Sequence, residues 1–239
     1  MITNETIIKL SAKFQTSEAN VRREYFQHLF LSLFYRQEGI DEVYFKGGTA
    51  LRLIYKSPRF SEDLDFDSPT ANISHIENAI ITTLSEAQKE GVETELDEAK
   101  TTTGGYLSIM RFSALGHIVP IKIEISFRDR KKKGVGVFIS SDLFPDYSII
   151  QLSEAQLVQG KINALLERKK PRDFFDFYFL LRRSMLPVTK GNIMKETLVA
   201  LQKTDINFDS ELKEFLPKNH HMIIKDFKTT LEREIKRYI

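Results

Sequence analysis

The feature that most restricts what this chain can fold into is a change of hydrophobic period near residue 152. Before it, short runs alternate apolar and polar residues as half-buried strands do; after it, apolar residues recur at helical spacing. The strand-like runs are Val43 to Phe45, Asp63 to Asp67, Glu93 to Leu96, Tyr106 to Ala114 and Val119 to Phe127, then two shorter ones, Val135 to Ile139 and Tyr147 to Ile150. Helical patterns lie between them. Thr16 or Ser17 caps a helix reaching about Gln37, with Val21, Tyr25, Leu29, Ser32 and Leu33 along one side. Thr49 opens a second helix that Ser57-Pro58 breaks, and Ile73 to Lys89 reads as a third. From the capping box Ser153-Glu154-Ala155-Gln156 onward all is helical, punctuated by Pro171, Pro187, Gly191 and Pro217. The pattern predicts an α+β fold: a mixed sheet with flanking helices over residues 1–151 and a helical bundle over 152–239, with a cleft at the join as the natural place for a site.

Composition narrows the chemistry. The chain has no cysteine, which excludes disulfides, thiolate metal sites and cysteine nucleophiles, so any metal must be held by oxygen or histidine. The longest apolar stretches, such as Leu29 to Tyr35, fall well short of the roughly 18 residues of a membrane span. The N-terminal residues lack an apolar leader, so a cytoplasmic protein with no membrane partner is expected. The five histidines, including His220-His221, have no ligand spacing and read as surface residues. Net charge is only +2, but Arg128, Arg130, Lys131, Lys132 and Lys133 crowd one stretch and Arg168, Lys169, Lys170 and Arg172 another. These are either solvated loops or contacts for nucleic-acid phosphates.

In Asp63-Leu64-Asp65-Phe66-Asp67 the two-residue period sends Leu64 and Phe66 to one face and the carboxylates to the other. Neighbouring acids about 6 to 7 Å apart repel by about 2 to 3 kcal/mol at an effective dielectric of about 20. Water at an exposed edge would offset that; so would a divalent metal, for which carboxylate oxygens are good ligands. Ile121-Lys122-Ile123-Glu124-Ile125-Ser126 repeats the pattern, and if this strand lies beside the first, Glu124 becomes a third carboxylate of the same site. Earlier, Phe45-Lys46-Gly47-Gly48-Thr49 turns a strand through two glycines into a helix, either a plain tight turn or a seat for phosphate.

In the helical half, Lys161 falls inside the apolar stripe Leu157, Val158, Ile162, Leu165 and Leu166, so its ammonium must snorkel to water or meet an anion. Asp176 sits among Phe174, Phe175, Phe177 and Tyr178 and needs a cation, for which Lys161, Arg168 and Arg172 are candidates. A structural ion pair between two helices would satisfy both.

Taken together, Lys46-Gly47-Gly48-Thr49-Ala50-Leu51-Arg52, Arg59-Phe60-Ser61-Glu62-Asp63-Leu64-Asp65-Phe66, Lys122-Ile123-Glu124-Ile125 and Lys161 through Arg172-Asp173-Phe174-Phe175-Asp176 resemble the AbiEii/MenT-type nucleotidyltransferase-like toxins of the DNA polymerase β-type superfamily. The resemblance implies a catalytic N-terminal domain, a helical C-terminal domain, Mg2+ (or Mn2+), and transfer of a nucleotide from a nucleoside triphosphate to an RNA, the 3′ end of tRNA, with a cognate antitoxin as a further partner. Carried onto matching positions, Asp63, Asp65, Lys161 and Asp176 are catalytic; Asp63, Asp65 and Glu124 hold metal; Gly47, Gly48, Thr49, Ser61 and Lys161 approach the nucleotide; and the two basic stretches take the RNA. Glu stands at position 124 where the family pattern has Asp, and the gap from Gly48 to Asp63 is longer than usual. A protein or small-molecule hydroxyl as acceptor, or a non-catalytic nucleotide- or RNA-binding module, are the alternatives.

Overall fold

The alternating runs become β1 (Tyr44–Lys46), β2 (Leu64–Asp67), β3 (Glu93–Thr102), β4 (Gly105–Ala114), β5 (His117–Ser126), β6 (Gly134–Ile139) and β7 (Tyr147–Leu152). They form one seven-stranded mixed sheet of order β3-β4-β5-β2-β1-β7-β6. The structure, a computed structural model, describes residues 2–187 and 191–239. Two compact units are present, Met1–Ser153 and Glu154–Ile239.

The first unit contains α1 (Asn4–Phe14), α2 (Glu18–Phe34), α3 (Gly47–Leu53) and α4 (Ile73–Lys89). Strand β2 is the pivot of its sheet, antiparallel to β1 and parallel to β5. Its odd and even positions part as period two requires. Leu64 and Phe66 join Phe45, Ile121, Ile123 and Ile125 in the core, none more than 2% exposed. Helix α2 packs on this core against β5, β7 and α4. Its Ser17 cap accepts a bond from the Asn20 amide. The sequence suggests one apolar side for α2, yet nearly every residue from Asn20 to Phe34 is buried, polar Arg22, Glu24, Gln27 and His28 included. The difference lies in α1, which packs against α2 and shields residues that would otherwise face water. At the opposite margin β3 runs to Thr102, well past the alternation, because β4 pairs with it along its whole length. Its edge carries exposed Glu93, Glu95, Asp97 and Lys100, which discourage pairing with another chain.

His28 corrects the expectation that the histidines lie at the surface: it is 1% exposed, and its Nδ1 lies 2.8 Å from the Tyr147 hydroxyl. Burial pushes its pKa down to about 3, and the positive charges of Lys56 and Arg52 add to the effect. The ring is therefore neutral in the folded protein. Between pH 6.5 and about 3 the unfolded chain binds a proton that the folded ring refuses, so stability present above pH 6.5 is lost as the pH falls. By about pH 5 the loss from this group amounts to roughly 2 kcal/mol. Thermal melts at pH 7.5 and 5 should show it in the wild type, with a shallower pH slope in His28→Gln.

The second unit is helical: α5 (Glu154–Arg168), α6 (Pro171–Arg182), α7 (Gly191–Lys203), α8 (Asp209–Phe215), α9 (His221–Lys225) and α10 (Phe227–Lys236). Pro171 starts α6 without sacrificing a bonded amide, and buried Asp173 accepts the Lys170 amide in its first turn. Leu157, Ile162 and Leu165 of α5 are buried with Phe174, Phe177 and Leu180 of α6. Phe227 stacks on Phe175 and meets Phe208 edge-on at 4.9 Å.

Candidate active site

The polar face of the sheet is a small grid. Lys46 on β1 is level with Asp65 on β2, which is level with Glu124 on β5; Tyr44, Asp67 and Ser126 form the next row. Because directly paired residues point to the same face, Glu124 stands beside Asp65, the neighbour that the period-two reading required. Asp63, one residue before β2 begins, lies 3.2 Å from the Lys122 ammonium, which also holds Glu124 at 2.9 Å. Burial works to lower the Lys122 pKa, but the hydrogen bonds and negative charges of Glu124 and Asp63 raise it overall. Asp67 is separated from the other acids by its partners: Lys46 reaches it at 2.5 Å and Lys132 at 3.4 Å, and its carboxylate is almost fully buried.

Turning from β1 into α3, Gly47 adopts a φ of +86°, and a Cβ there would collide with the Asp65 carboxylate. The Asp65 side chain thus lies directly against the glycine turn. A Cβ on Gly48 would meet the Arg59 guanidinium at 2.6 Å and Ser61 Oγ at 2.7 Å, so the turn, Ser61 and the acid strand converge on one spot. Gly47→Ala should force both a left-handed alanine, costing about 1 to 3 kcal/mol, and a displacement of Asp65. We expect a lowered melting temperature and at least a tenfold loss of nucleotidyl transfer, read by thermal denaturation and a single-turnover assay.

The segment between Pro58 and Asp63 has no regular structure, yet its carbonyls are held from three sides. Gln27 donates to the carbonyls of Ser61 and Glu62 at 3.0 and 2.9 Å, and Thr49 Oγ1 to that of Asp63 at 2.5 Å. Arg52 donates to Ser57 and Pro58, pairs with buried Glu24 at 2.7 Å, and lies over the Phe60 ring at 3.8 Å. Thr49 is fully buried and its hydroxyl is committed to this bond, which ties the start of α3 to the acid strand. Glu24, Gln27 and Lys122 lie outside the set of site residues that the sequence marks. Lys122 was legible, standing two residues from Glu124 on one face, whereas Glu24 and Gln27 lie in a helix whose period reports burial and nothing about the loop they hold.

Among the described residues, no three His, Cys, Asp or Glu side chains gather closely enough to enclose a metal. The donors on the polar face are carboxylate oxygens, the hard set that Mg2+ requires.

The first basic stretch presents Arg128, Arg130, Lys131 and Lys133 at the surface, while Lys132 turns in to Asp67 and Asp129. In the second unit Arg168 pairs with buried Asp173 at 2.5 Å and Arg172 with Glu211 at 3.3 Å, leaving Lys169 and Lys170 exposed. Lys161 Nζ lies 2.7 Å from Asp176, with side-chain exposures of 12% and 1%. Lys161 is thus one partner that satisfies the Asp176 carboxylate.

Residues 29–237 match the family described as nucleotidyl transferase AbiEii toxin, type IV toxin–antitoxin system. A crystal structure from H. pylori described as a candidate nucleotidyltransferase is similar at 21% identity and a TM-score of 0.64, covering 93% of this chain and 95% of that one. JHP933 from Helicobacter pylori is similar at 21% identity and a TM-score of 0.63, covering 93% of each chain. At that identity the likeness speaks for the fold alone. No curated protein matches the chain. Among the described residues no helix is long and apolar enough to cross a membrane. The match from Leu29 to Arg237 takes in the glycine turn, the acid strands and the helical unit alike, and the chain belongs to the AbiEii family of nucleotidyltransferase toxins of type IV toxin–antitoxin systems.

Proposed function

We propose that this chain transfers a nucleoside monophosphate from a nucleoside triphosphate to an RNA, the 3′ end of tRNA, in the cytoplasm, and that its effect is opposed by a cognate antitoxin. The catalytic unit is residues 1–151, with 152–239 as the helical domain. The observation that carries the reading is the carboxylate of Asp65 lying against the Gly47 turn, with Glu124 level on the next strand.

Asp63 and Asp65 would hold Mg2+, for which Mn2+ can substitute; Glu124 would join as a third ligand once an ion draws the three carboxylates closer than they stand here. Bound there, such ions would supply Lewis-acid stabilisation of the charge that develops during phosphoryl transfer. The protein's own groups do the positioning. Gly47 and Gly48 let backbone amides approach the phosphates, and Ser61 donates to a phosphate oxygen beside them. Lys161, braced by Asp176, neutralises triphosphate charge. The acceptor's phosphates take up Arg128, Arg130, Lys131, Lys132, Lys133, Arg168, Lys169, Lys170 and Arg172. The exposed members of this set support the RNA reading; Lys132, Arg168 and Arg172 would have to share their charge with Asp67, Asp173 and Glu211.

The test is to incubate the protein with triphosphates labelled at the α-phosphate, Mg2+ and a fractionated lysate. Label should enter the tRNA fraction, and sequencing of RNA 3′ ends should reveal the added nucleotide. Label in protein or in small molecules would replace the acceptor, and triphosphate binding without pyrophosphate release would replace catalysis with a binding role.

A further inference from the structure

Lys122 takes no part in the functional assignment above, yet its ammonium reaches two acids of the polar face. Its ammonium touches carboxylates on two adjacent strands, Asp63 at 3.2 Å and Glu124 at 2.9 Å, and all three side chains are about one-third to one-half exposed. The register explains why. Leu64 pairs with Ile123, so Asp63 comes level with Lys122 as Asp65 comes level with Glu124, and one ammonium can reach both a cross-strand and a same-strand acid. Side-by-side carboxylates on a sheet face destabilise it. Two further lysines near this face, Lys46 and Lys132, are bound to Asp67. An isolated surface ion pair contributes little, but a single cation between two acids that would otherwise repel is a different case.

We infer that Lys122 is a built-in counter-ion: it holds Asp63 and Glu124 together when no divalent ion is bound, and competes with that ion for them. This rests on the reading of Asp63 and Asp65 as metal-holding acids. A carboxylate hydrogen-bonded to an ammonium cannot offer the same lone pairs to a metal, so metal uptake requires Lys122 to release Asp63. The released ammonium stays on the polar face, where phosphate oxygens stabilise it. A bound triphosphate therefore favours the released state, and by linkage the metal and the nucleotide favour each other.

The experiment measures Mn2+ binding without nucleotide, by calorimetry, together with metal-free melting temperature. Wild type, Lys122→Met, Lys122→Arg and Asp63→Ala/Asp65→Ala are compared. Lys122→Met should bind Mn2+ on the order of tenfold more tightly, since a like charge has been removed from beside the ion, whereas Lys122→Arg should stay near wild type. Without metal, Lys122→Met should melt below wild type, and saturating Mn2+ should close the gap. Unchanged or weaker Mn2+ binding by Lys122→Met overturns the inference, provided the double aspartate variant has lost binding. If the double variant binds Mn2+ as wild type does, the metal-holding role of the aspartates has failed instead. Should Lys122→Met not fold, Lys122→Gln serves as the neutral variant with the same outcomes.

Discussion

Asp63→Ala/Asp65→Ala should abolish label transfer from a nucleoside triphosphate while leaving a folded protein. A bound divalent ion supplies several kcal/mol of stabilisation to the transition state, and each 1.4 kcal/mol is a factor of ten in rate, so the loss should be on the order of 10³-fold or more. The fold should survive because neither side chain lies in the core: Asp63 and Asp65 are half-buried on the polar face, and the apolar anchors Leu64 and Phe66 remain. Removing two like charges from one face also relieves repulsion. The measurement is single-turnover transfer beside far-UV circular dichroism and a thermal melt. Transfer by the double variant at the wild-type rate would remove the catalytic assignment of this strand.

Asp176→Ala should strongly destabilise the helical unit. Asp176 is 1% exposed at its side chain and bonded to an ammonium that is itself only 12% exposed. Taking away one partner of a buried pair leaves the other charge desolvated and costs about 3 to 5 kcal/mol, whereas replacing both by apolar groups is often neutral. The double variant Lys161→Met/Asp176→Leu should therefore recover most of the melting temperature lost by Asp176→Ala. Its activity separates two roles for the pair. If Lys161 neutralises triphosphate, the stable double variant stays poor in transfer, chiefly through a raised KM for the nucleotide. If the pair only joins α5 to α6, stability and transfer return together.

The sheet could be read from the sequence wherever one face is apolar and the other polar. Strands β2 and β5 announce themselves by strict alternation, and their polar faces carry the acids, so the pairing of Asp65 with Glu124 needed only the assumption that the two strands are neighbours. Helix α4 declares itself by period, and α5 by its period and the Ser153 capping box. What the sequence concealed depends on contacts between distant segments. Helix α1 buries only Ile7 and Leu10, too few to make a convincing stripe. The full length of β3 depends on its partner β4, since its own residues are mostly exposed. His28 is polar by composition and buried by position, as only packing from several elements can arrange. The carboxylate triplet is uniform on paper, but Asp67 differs from Asp63 because Lys46 and Lys132 come to it from other strands and loops. Local pattern reports which face a side chain takes; it is silent about which ion waits there.

The clamp on residues 57–63 has a bearing on turnover. Gln27, Thr49 and Arg52 fix the carbonyls of that segment through the protein's own hydrogen bonds. The segment's backbone freedom is thus surrendered once, during folding, and a nucleotide arriving near Ser61 need not order it afresh in every cycle.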